Sequence, residues 1–535
     1  MKGLDIMKKR KAVVFLICTA LASSTLFSGC GKSNKSVSSG KDYGDYPIST
    51  NVTLEFWSAL DPNVSANYTN LGDTEFAKKL EELTGVKVKY THPAAGQEYE
   101  NFSILIASGD YPDMVQYDWK NAVGGPEGMI NNEVIVPLND LMDKNAPNLK
   151  KYLGENPDID RRIKTDNGNY YVFPFIRSDK SLLISQGPIF RKDWLDDLGL
   201  SAPQTIEEWE NVLTAFRDKK GAQAPLSVSP STSKFLYFIF NTTPDFYVQD
   251  GKVKLGCAEP EFKEALIRLN KWFADGLIDK NYISTDSSMN TYNILNGVSG
   301  ATFGGGGADL GKWLNSMKDK DAKFDLLGVK FPKAANGSEN SFAPFNDFYA
   351  SHGSVAITTN CKDADLAAKW LDFGYSEAGH MLNNFGIEGT SYTMKDNYPT
   401  YTETVTKNSE GLSFGQALSK YTRAAFCGPF IQDKRYIEQY YSLDQQKKAL
   451  EQWSVSYDET FKKKLPPTII SGDDSSDYAS WYNEIVKYRN ETVAAFITGV
   501  KPFSEYDEYL NTLKQLKSDK VIEIQQKAYD KYMSR

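Results

Sequence analysis

Apolar and polar positions along this chain repeat at two periods. Val52–Trp57 (VTLEFW) and Val86–Tyr90 (VKVKY) alternate with period two, the pattern of half-buried strands. Between them, Phe76 to Leu83 places apolar residues three and four apart, which predicts an amphipathic helix ending at Thr84-Gly85. Tyr99 to Ala107 predicts a second helix, Gly109-Asp110 a turn, and Met114–Tyr117 a third strand. Strand, helix, strand, helix, strand predicts a parallel sheet with right-handed crossovers. Further on, Thr205-Ile-Glu-Glu208 reads as a capping box, followed by Trp209, Val212, Leu213 and Phe216 on one helical face. Phe262–Phe273, Leu366–Phe373 and the tail Tyr506–Met533 also read as helices. No repeat of fixed period is present.

The first residues break this pattern. Lys8, Lys9, Arg10 and Lys11 precede a short apolar run, Ala12 to Ala22, and then Leu26-Phe-Ser-Gly-Cys30. A positive start, about ten apolar residues and a small-residue exit describe a secretory signal. The run is too short to span a bilayer, which needs about 20 apolar residues. Ser28-Gly29-Cys30 is similar to the bacterial lipobox, in which the Cys carries the lipid; the alternative is an ordinary signal with an incidental Cys. Residues 30–45 are mostly Ser, Gly and Lys, too polar to build a core, and are expected to form a flexible tether. The remaining chain exceeds the usual size of one hydrophobic core, so two lobes are expected.

The full sequence of 535 residues carries a net charge of −8. Removing residues 1–29, with five basic groups and one acidic, takes the remainder to about −12. No basic patch of the kind needed for phosphate contacts is present, so nucleic acid is not expected as a partner. Cys257, Cys361 and Cys427 are scattered, with no CxxC, and read as core residues with one disulfide left open. Three His in total and no HExxH argue against a transition-metal site. The Asp473-Asp474-Ser-Ser-Asp477 stretch lacks EF-hand spacing and reads as an exposed acidic loop. No cofactor and no metal are expected.

Several segments carry a resemblance. Ser108-Gly-Asp-Tyr-Pro-Asp113, Asp166-Asn-Gly-Asn-Tyr-Tyr-Val-Phe-Pro174, Phe190-Arg-Lys-Asp-Trp-Leu-Asp-Asp-Leu-Gly-Leu200, Pro203-Gln-Thr-Ile-Glu-Glu-Trp209, Asn384-Phe-Gly-Ile-Glu-Gly-Thr-Ser-Tyr392 and Phe496-Ile-Thr-Gly499 follow one another in order. Together they resemble the extracellular solute-binding protein family 1, the maltose-binding-protein-like group, in its large lipoprotein form. The resemblance implies a periplasmic-binding-protein-like type II α/β fold. Two α/β lobes are joined by a hinge, with extra C-terminal helices and ligand held in the cleft between. It places lobe 1 at 46–178 plus 341–400 and lobe 2 at 179–340 plus 401–535.

A sugar offers apolar C–H faces that lie on aromatic rings and hydroxyls that pair with planar polar groups. The chain is 13% aromatic, with 31 Tyr. Loops after parallel strands converge on the crevice of an open α/β sheet, which makes Trp57, Asp61, Tyr117, Asp118 and Trp119 candidates. Tyr171 and Arg177 flank the first predicted crossover. Ala301-Thr-Phe-Gly-Gly-Gly-Gly307 lacks the ending of a P-loop; its glycines allow a close approach, and the resemblance makes Phe303 a ligand candidate. Phe345 and Asp347, with Phe348 and Tyr349, form an aromatic–acid knot before the return crossover. Glu388 and Tyr392 complete the candidate set. For each, core or hinge packing is the alternative.

The function these features imply is a solute-binding protein without catalysis. The lipobox and the family resemblance together imply a monomer lipid-anchored at Cys30 on the extracytoplasmic face of the membrane, expected to deliver an oligosaccharide to the permease of an ABC importer. A charged uronide or a non-sugar solute is the alternative cargo. A surface-anchored glycoside hydrolase or lyase is the alternative class, since 69 Asp and Glu leave room for a catalytic pair. A sensor subunit touching a histidine kinase is a third.

Overall fold

The computed structural model describes residues 40–423, 427–470 and 474–535, without the side chains of 349–352. Cys30, the signal segment and residues 30–39 of the expected tether lie outside the described residues. The strands, in chain order, are β1 (Thr53–Trp57), β2 (Lys87–Thr91), β3 (Met114–Gln116), β4 (Phe173–Arg177), β5 (Gln186–Arg191), β6 (Phe246–Gln249), β7 (Lys252–Leu255), β8 (Ala301–Gly305), β9 (Leu326–Gly328), β10 (Tyr349–Ile357), β11 (Tyr392–Lys395), β12 (Tyr398–Tyr401) and β13 (Ile431–Gln432).

The larger sheet has the order β13-β4-β10-β3-β1-β2. Its strands pair in parallel except β10, which runs against β3 and β4. Burial follows position in the sheet. Every residue of β3 and β4 is buried, whereas edge strand β2 exposes Lys87 and Lys89, charges that keep an open edge from pairing with another chain. In β1, Leu54 and Phe56 point into the core while Glu55 points out and meets Lys89 at 2.8 Å.

The helix Glu75–Thr84 covers this sheet, buries Phe76 and Leu80, and starts at Thr74, whose hydroxyl accepts from Ala77 N at 3.1 Å. The helices Glu98–Ser108 and Ala364–Asp372 follow the predicted segments closely. Residues 40–45, expected in the tether, lie against this lobe: Gly40 N donates to Asp365 Oδ2 at 3.1 Å, and the Tyr43 hydroxyl donates to Asp363.

The second sheet, β8-β5-β9, is antiparallel and is extended by Leu226, which bridges in parallel to Ala301 and Ile278. Its core is built by the helix Ile206–Lys220. That helix opens with the predicted capping box and lays Trp209 and Phe216 on Phe190, with the Trp209 ring 4.8 Å from it and edge-on. The helix Pro260–Ala274 packs on Asp474–Thr498, with Phe262, Leu266, Val493 and Phe496 buried.

The chain passes between the two cores repeatedly. Residues 178–185 link β4 to β5 and residues 329–348 link β9 to β10. These connections meet at an Ile184–Phe345 bridge, reinforced by Asn346 N donating to Leu183 O at 2.8 Å. The chain beyond residue 400 does not go straight to the second lobe as expected. It first returns to the larger sheet, where β13 pairs with β4, and only then crosses through the helices Lys434–Tyr440 and Asp444–Ser454 to β9. Two β-branched or amide residues, Ile431 and Gln432, are too short a run to announce a strand; the free edge of β4 creates it. Cys257, Cys361 and Cys427 are free thiols.

Candidate functional site

All three connections leave a sheet at the carboxyl ends of its parallel strands. Both carboxyl edges therefore face the crossovers, and that is where ligands bind in open α/β sheets. At the first-lobe edge stand Trp57 to Asp61 after β1, His92 after β2, Tyr117 to Trp119 after β3 and Arg177 at the end of β4.

The aromatic residues at this edge form one stack built on Phe102 of the helix Glu98–Ser108. Tyr117 lies flat on Phe102, ring centroids 3.5 Å apart and 5° from parallel. Trp119 meets the same ring edge-on at 5.5 Å, and Trp57 approaches it at 6.3 Å. Trp57 and Trp119 are 8% and 1% exposed and belong to the core. They support the platform; Tyr117 presents it, half-buried, beside Tyr99, which is 64% exposed. Asp118 accepts from Asn121 through Oδ2 at 3.1 Å, while its Oδ1 is buried without a partner among the described residues. Asp61 caps the short helix Pro62–Ser65, accepting from Asn63 N at 2.8 Å.

Other candidates go elsewhere. Tyr171 is fully buried in the first core. Phe303 is 1% exposed, stacked between Trp209 and Phe331 with Phe235 edge-on, so its ring fills the second core instead of facing a ligand. Arg177 and Asp347 form part of the hinge. The Asp347 carboxylate receives Arg162 Nη1 at 2.7 and 2.9 Å, and its main-chain carbonyl receives Arg177 at 2.9 Å. Burial pushes the Arg177 guanidinium down to about 10, against the pull of Asp347. Lys464 donates to the carbonyls of Phe345 and Asn346, each at 3.0 Å, and the Phe345 ring packs on Tyr457 at 5.3 Å. Glu388 and Tyr392 line a groove of about 780 Å³ with Lys79, Glu82 and Leu83, at the far end of the helix Glu75–Thr84 from the carboxyl edge.

The glycine loop after β8 has a specific reason for its composition. A Cβ on Gly307 would stand 2.4 Å from the Tyr440 ring, and one on Gly306 would stand 2.7 Å from the Tyr441 hydroxyl. The close approach expected at this loop is thus to the third connection. Gln446 Nε2 donates to Gly306 O at 2.8 Å and completes that contact.

Sequence reasoning missed the second-lobe pocket. Ser229 to Lys234 follow the Leu226 bridge, and Tyr282 follows Ile278, at the carboxyl edge of that lobe. Of these, Pro230, Ser231, Ser233, Lys234 and Tyr282 line a cavity of about 520 Å³, together with Arg489 and Asn490 from the helix Asp474–Thr498. Arg489 is compensated by Asp245 and by Pro244 O, each at 3.1 Å; Lys234 is exposed. The available signal was position after a short apolar run, Leu226 to Val228, with no motif to mark it.

Comparison with known proteins agrees with this architecture. The chain is 29% identical over 395 residues, 69% of its length and 70% of the relative's, to the fructooligosaccharide ABC transporter substrate-binding protein FusA of Streptococcus pneumoniae serotype 4. It is 24% identical over 355 residues, 63% of its length and 67% of the relative's, to the lipoprotein LipO of Bacillus subtilis strain 168. Its fold matches that of the alginate-binding protein AlgQ2 in a calcium-free crystal structure, with a TM-score of 0.72, 24% identity, and coverage of 91% of this chain and 100% of the other. These likenesses place a type II solute-binding fold around the crossovers. The profile of the bacterial extracellular solute-binding proteins matches residues 67–381, more than half of the chain, and the chain belongs to that family.

Proposed function

We propose that this protein captures an oligosaccharide between the two carboxyl edges and hands it to the permease of an ABC importer, while a lipid on Cys30 holds it at the extracytoplasmic face of the membrane. The observation that carries this reading is the Tyr117 platform at one edge. It is a flat aromatic face backed by Phe102 and Trp119, with Asp118 next to it in the chain as a hydroxyl partner. The second-lobe pocket, with Ser231, Ser233, Lys234 and Tyr282, supplies the other wall. Hinge closure brings the two walls onto one ligand, so binding stabilises the closed state. The likeness to a fructooligosaccharide-binding protein makes that class the first probe. No bond of the ligand is broken in this cycle.

A thermal-shift screen against oligosaccharides, with fructooligosaccharides in the first arm, tests the reading. A ligand at a hundredfold excess over its Kd adds about 2.7 kcal/mol of stability, an easily read rise in melting temperature. If amino acids or peptides raise the melting temperature and no oligosaccharide does, the sugar assignment fails. Overnight incubation with the binding sugar should return it intact; cleavage products would establish the enzyme alternative.

A further inference from the structure

The chain carries a net charge of −8, yet cations outnumber carboxylates where its two cores meet. Three of them converge on Phe345, Asn346 and Asp347, in the connection from β9 to β10. Arg162 Nη1 donates to both Asp347 oxygens, at 2.7 and 2.9 Å. Arg177 Nη1 donates to the Asp347 carbonyl at 2.9 Å, and Lys464 Nζ to the carbonyls of Phe345 and Asn346 at 3.0 Å each. Carbonyls accept these hydrogen bonds but do not balance charge. Arg177, 6% exposed, also keeps a buried Nε without a partner among the described residues.

The strongest charges acting on Lys464 are one carboxylate, Asp347, against three cations, Arg162, Arg177 and Lys234. On the first-lobe side Lys120, two residues beyond Asp118, feels Asp347 and Asp118 against Arg162 and Arg535. Burial pushes the ammonium of Lys464 down, that of Lys120 down to about 8 and the Arg177 guanidinium down to about 10; at all three it outweighs the carboxylates. Neighbouring cations shifted in the same direction are short of counter-charge.

The second-lobe pocket has the same sign. Its lining holds Lys234, Arg489 and a single carboxylate, Asp245, which Arg489 Nη1 already meets at 3.1 Å. The Lys234 side chain is exposed, and its ammonium makes no hydrogen bond or ion pair among the described residues. Ser231, Ser233 and Asn490 add neutral donors to the same lining.

We propose that the ligand is an oligosaccharide bearing an anionic group, a carboxylate or a phosphate, and that Lys234, the exposed member of the cation cluster around Asp347, is the residue that selects it. The inference rests on the proposed binding reading and names the chemistry of its ligand.

An anion beside Lys234 gains a charge-assisted hydrogen bond and offsets the repulsion between Lys234 and Lys464. A neutral sugar in the same place leaves that repulsion standing. The negative charge of the whole chain does not oppose this, because salt confines the reach of exposed charges to about 8 Å at physiological ionic strength. The groups nearest the ligand decide, and here they are cationic.

Matched pairs test the proposal on the full chain. Trigalacturonate is compared with galactotriose, and sucrose 6-phosphate with sucrose, each titrated by calorimetry alongside kestose. In at least one pair the anionic member should bind roughly tenfold tighter than its neutral partner and than kestose; the pair that responds separates carboxylate from phosphate. Its Kd should rise severalfold between about 20 and about 300 mM NaCl. K234M should weaken that ligand about fivefold, and K234R should largely restore it. Melting curves of both variants confirm that they fold. If a neutral oligosaccharide binds tightest, with a Kd indifferent to salt and to K234M, the anion proposal fails and the binding reading stands. An anionic ligand that binds tightest but ignores K234M overturns the assignment of Lys234. If no oligosaccharide of either kind binds, the binding reading itself fails.

Discussion

Arg535 holds Asp166 across the boundary between the two cores. The last helix, Ser518–Met533, packs on the second core through Val521, yet the Arg535 guanidinium bonds the loop that precedes β4 in the first lobe. Its Nε donates to Asp166 Oδ1 at 3.0 Å, its Nη2 donates to the same oxygen, and its Nη1 donates to Lys164 O at 2.8 Å. Both side chains are nearly buried, at 5% and 8% exposure. Removing Asp166 strands the Arg535 charge, so D166A should cost about 3 kcal/mol, and R535A less, because Lys531 Nζ remains 3.6 Å from Asp166 Oδ2. The double variant should cost little more than D166A alone, as read in a double-mutant cycle of urea unfolding. Additive losses would mean that the two residues act separately.

Gly307 should tolerate no side chain while Tyr440 is in place. G307A puts a methyl 2.4 Å from the Tyr440 ring and should lose about 1–3 kcal/mol by overpacking. Y440A in the same molecule should recover part of that loss. A G307A protein with an unchanged melting temperature would show that the loop yields freely.

Lys120, next to Trp119, gives a stability signature at alkaline pH. Burial pushes its ammonium down to about 8, against the pull of Asp347 and Asp118. The unfolded chain keeps the proton up to the ordinary lysine value of about 10.5, so between the two values it binds more protons than the folded one. Stability therefore rises with pH across this window, and the gain is lost as pH falls through 8. The urea midpoint of wild type minus that of K120M should increase from pH 7 to pH 9.5; a flat difference refutes this assignment.

Tyr117 is expected to supply its ring face, not its hydroxyl. Y117F should bind the oligosaccharide identified by thermal shift nearly as wild type does. Y117A should bind about fivefold more weakly, corresponding to about 1 kcal/mol for one aromatic face. Equal losses in both variants would assign the contact to the hydroxyl.

On the proposed lipid anchor, Cys30→Ala should move the protein from the membrane fraction to the medium, because the variant lacks the sulfur that would carry the acyl chains. Fractionation and immunoblotting read this directly. Retention of the variant on the membrane would mean that another attachment holds it.

The local elements of this protein are written in its sequence. Period-two alternation gives β1 and β2, and apolar spacing with Thr74 and Thr205 as caps gives two helices, because these patterns report neighbours within a few residues. The chain order of the solute-binding motifs is equally local, and it carries the family. The sequence also placed Tyr117 and Asp118 at a carboxyl edge, since strand direction follows from the alternation of strands and helices.

Tertiary structure decided whatever depends on a distant partner. Phe303 reads as an available aromatic until Trp209 and Phe331 enclose it, and Asp347 reads as a ligand acid until Arg162 arrives from 185 positions away. The glycines of 304–307 signal a close approach but not that Tyr440 makes it. Periodicity encodes which face is apolar; which remote side chain meets that face is fixed only when the sheets and crossovers close.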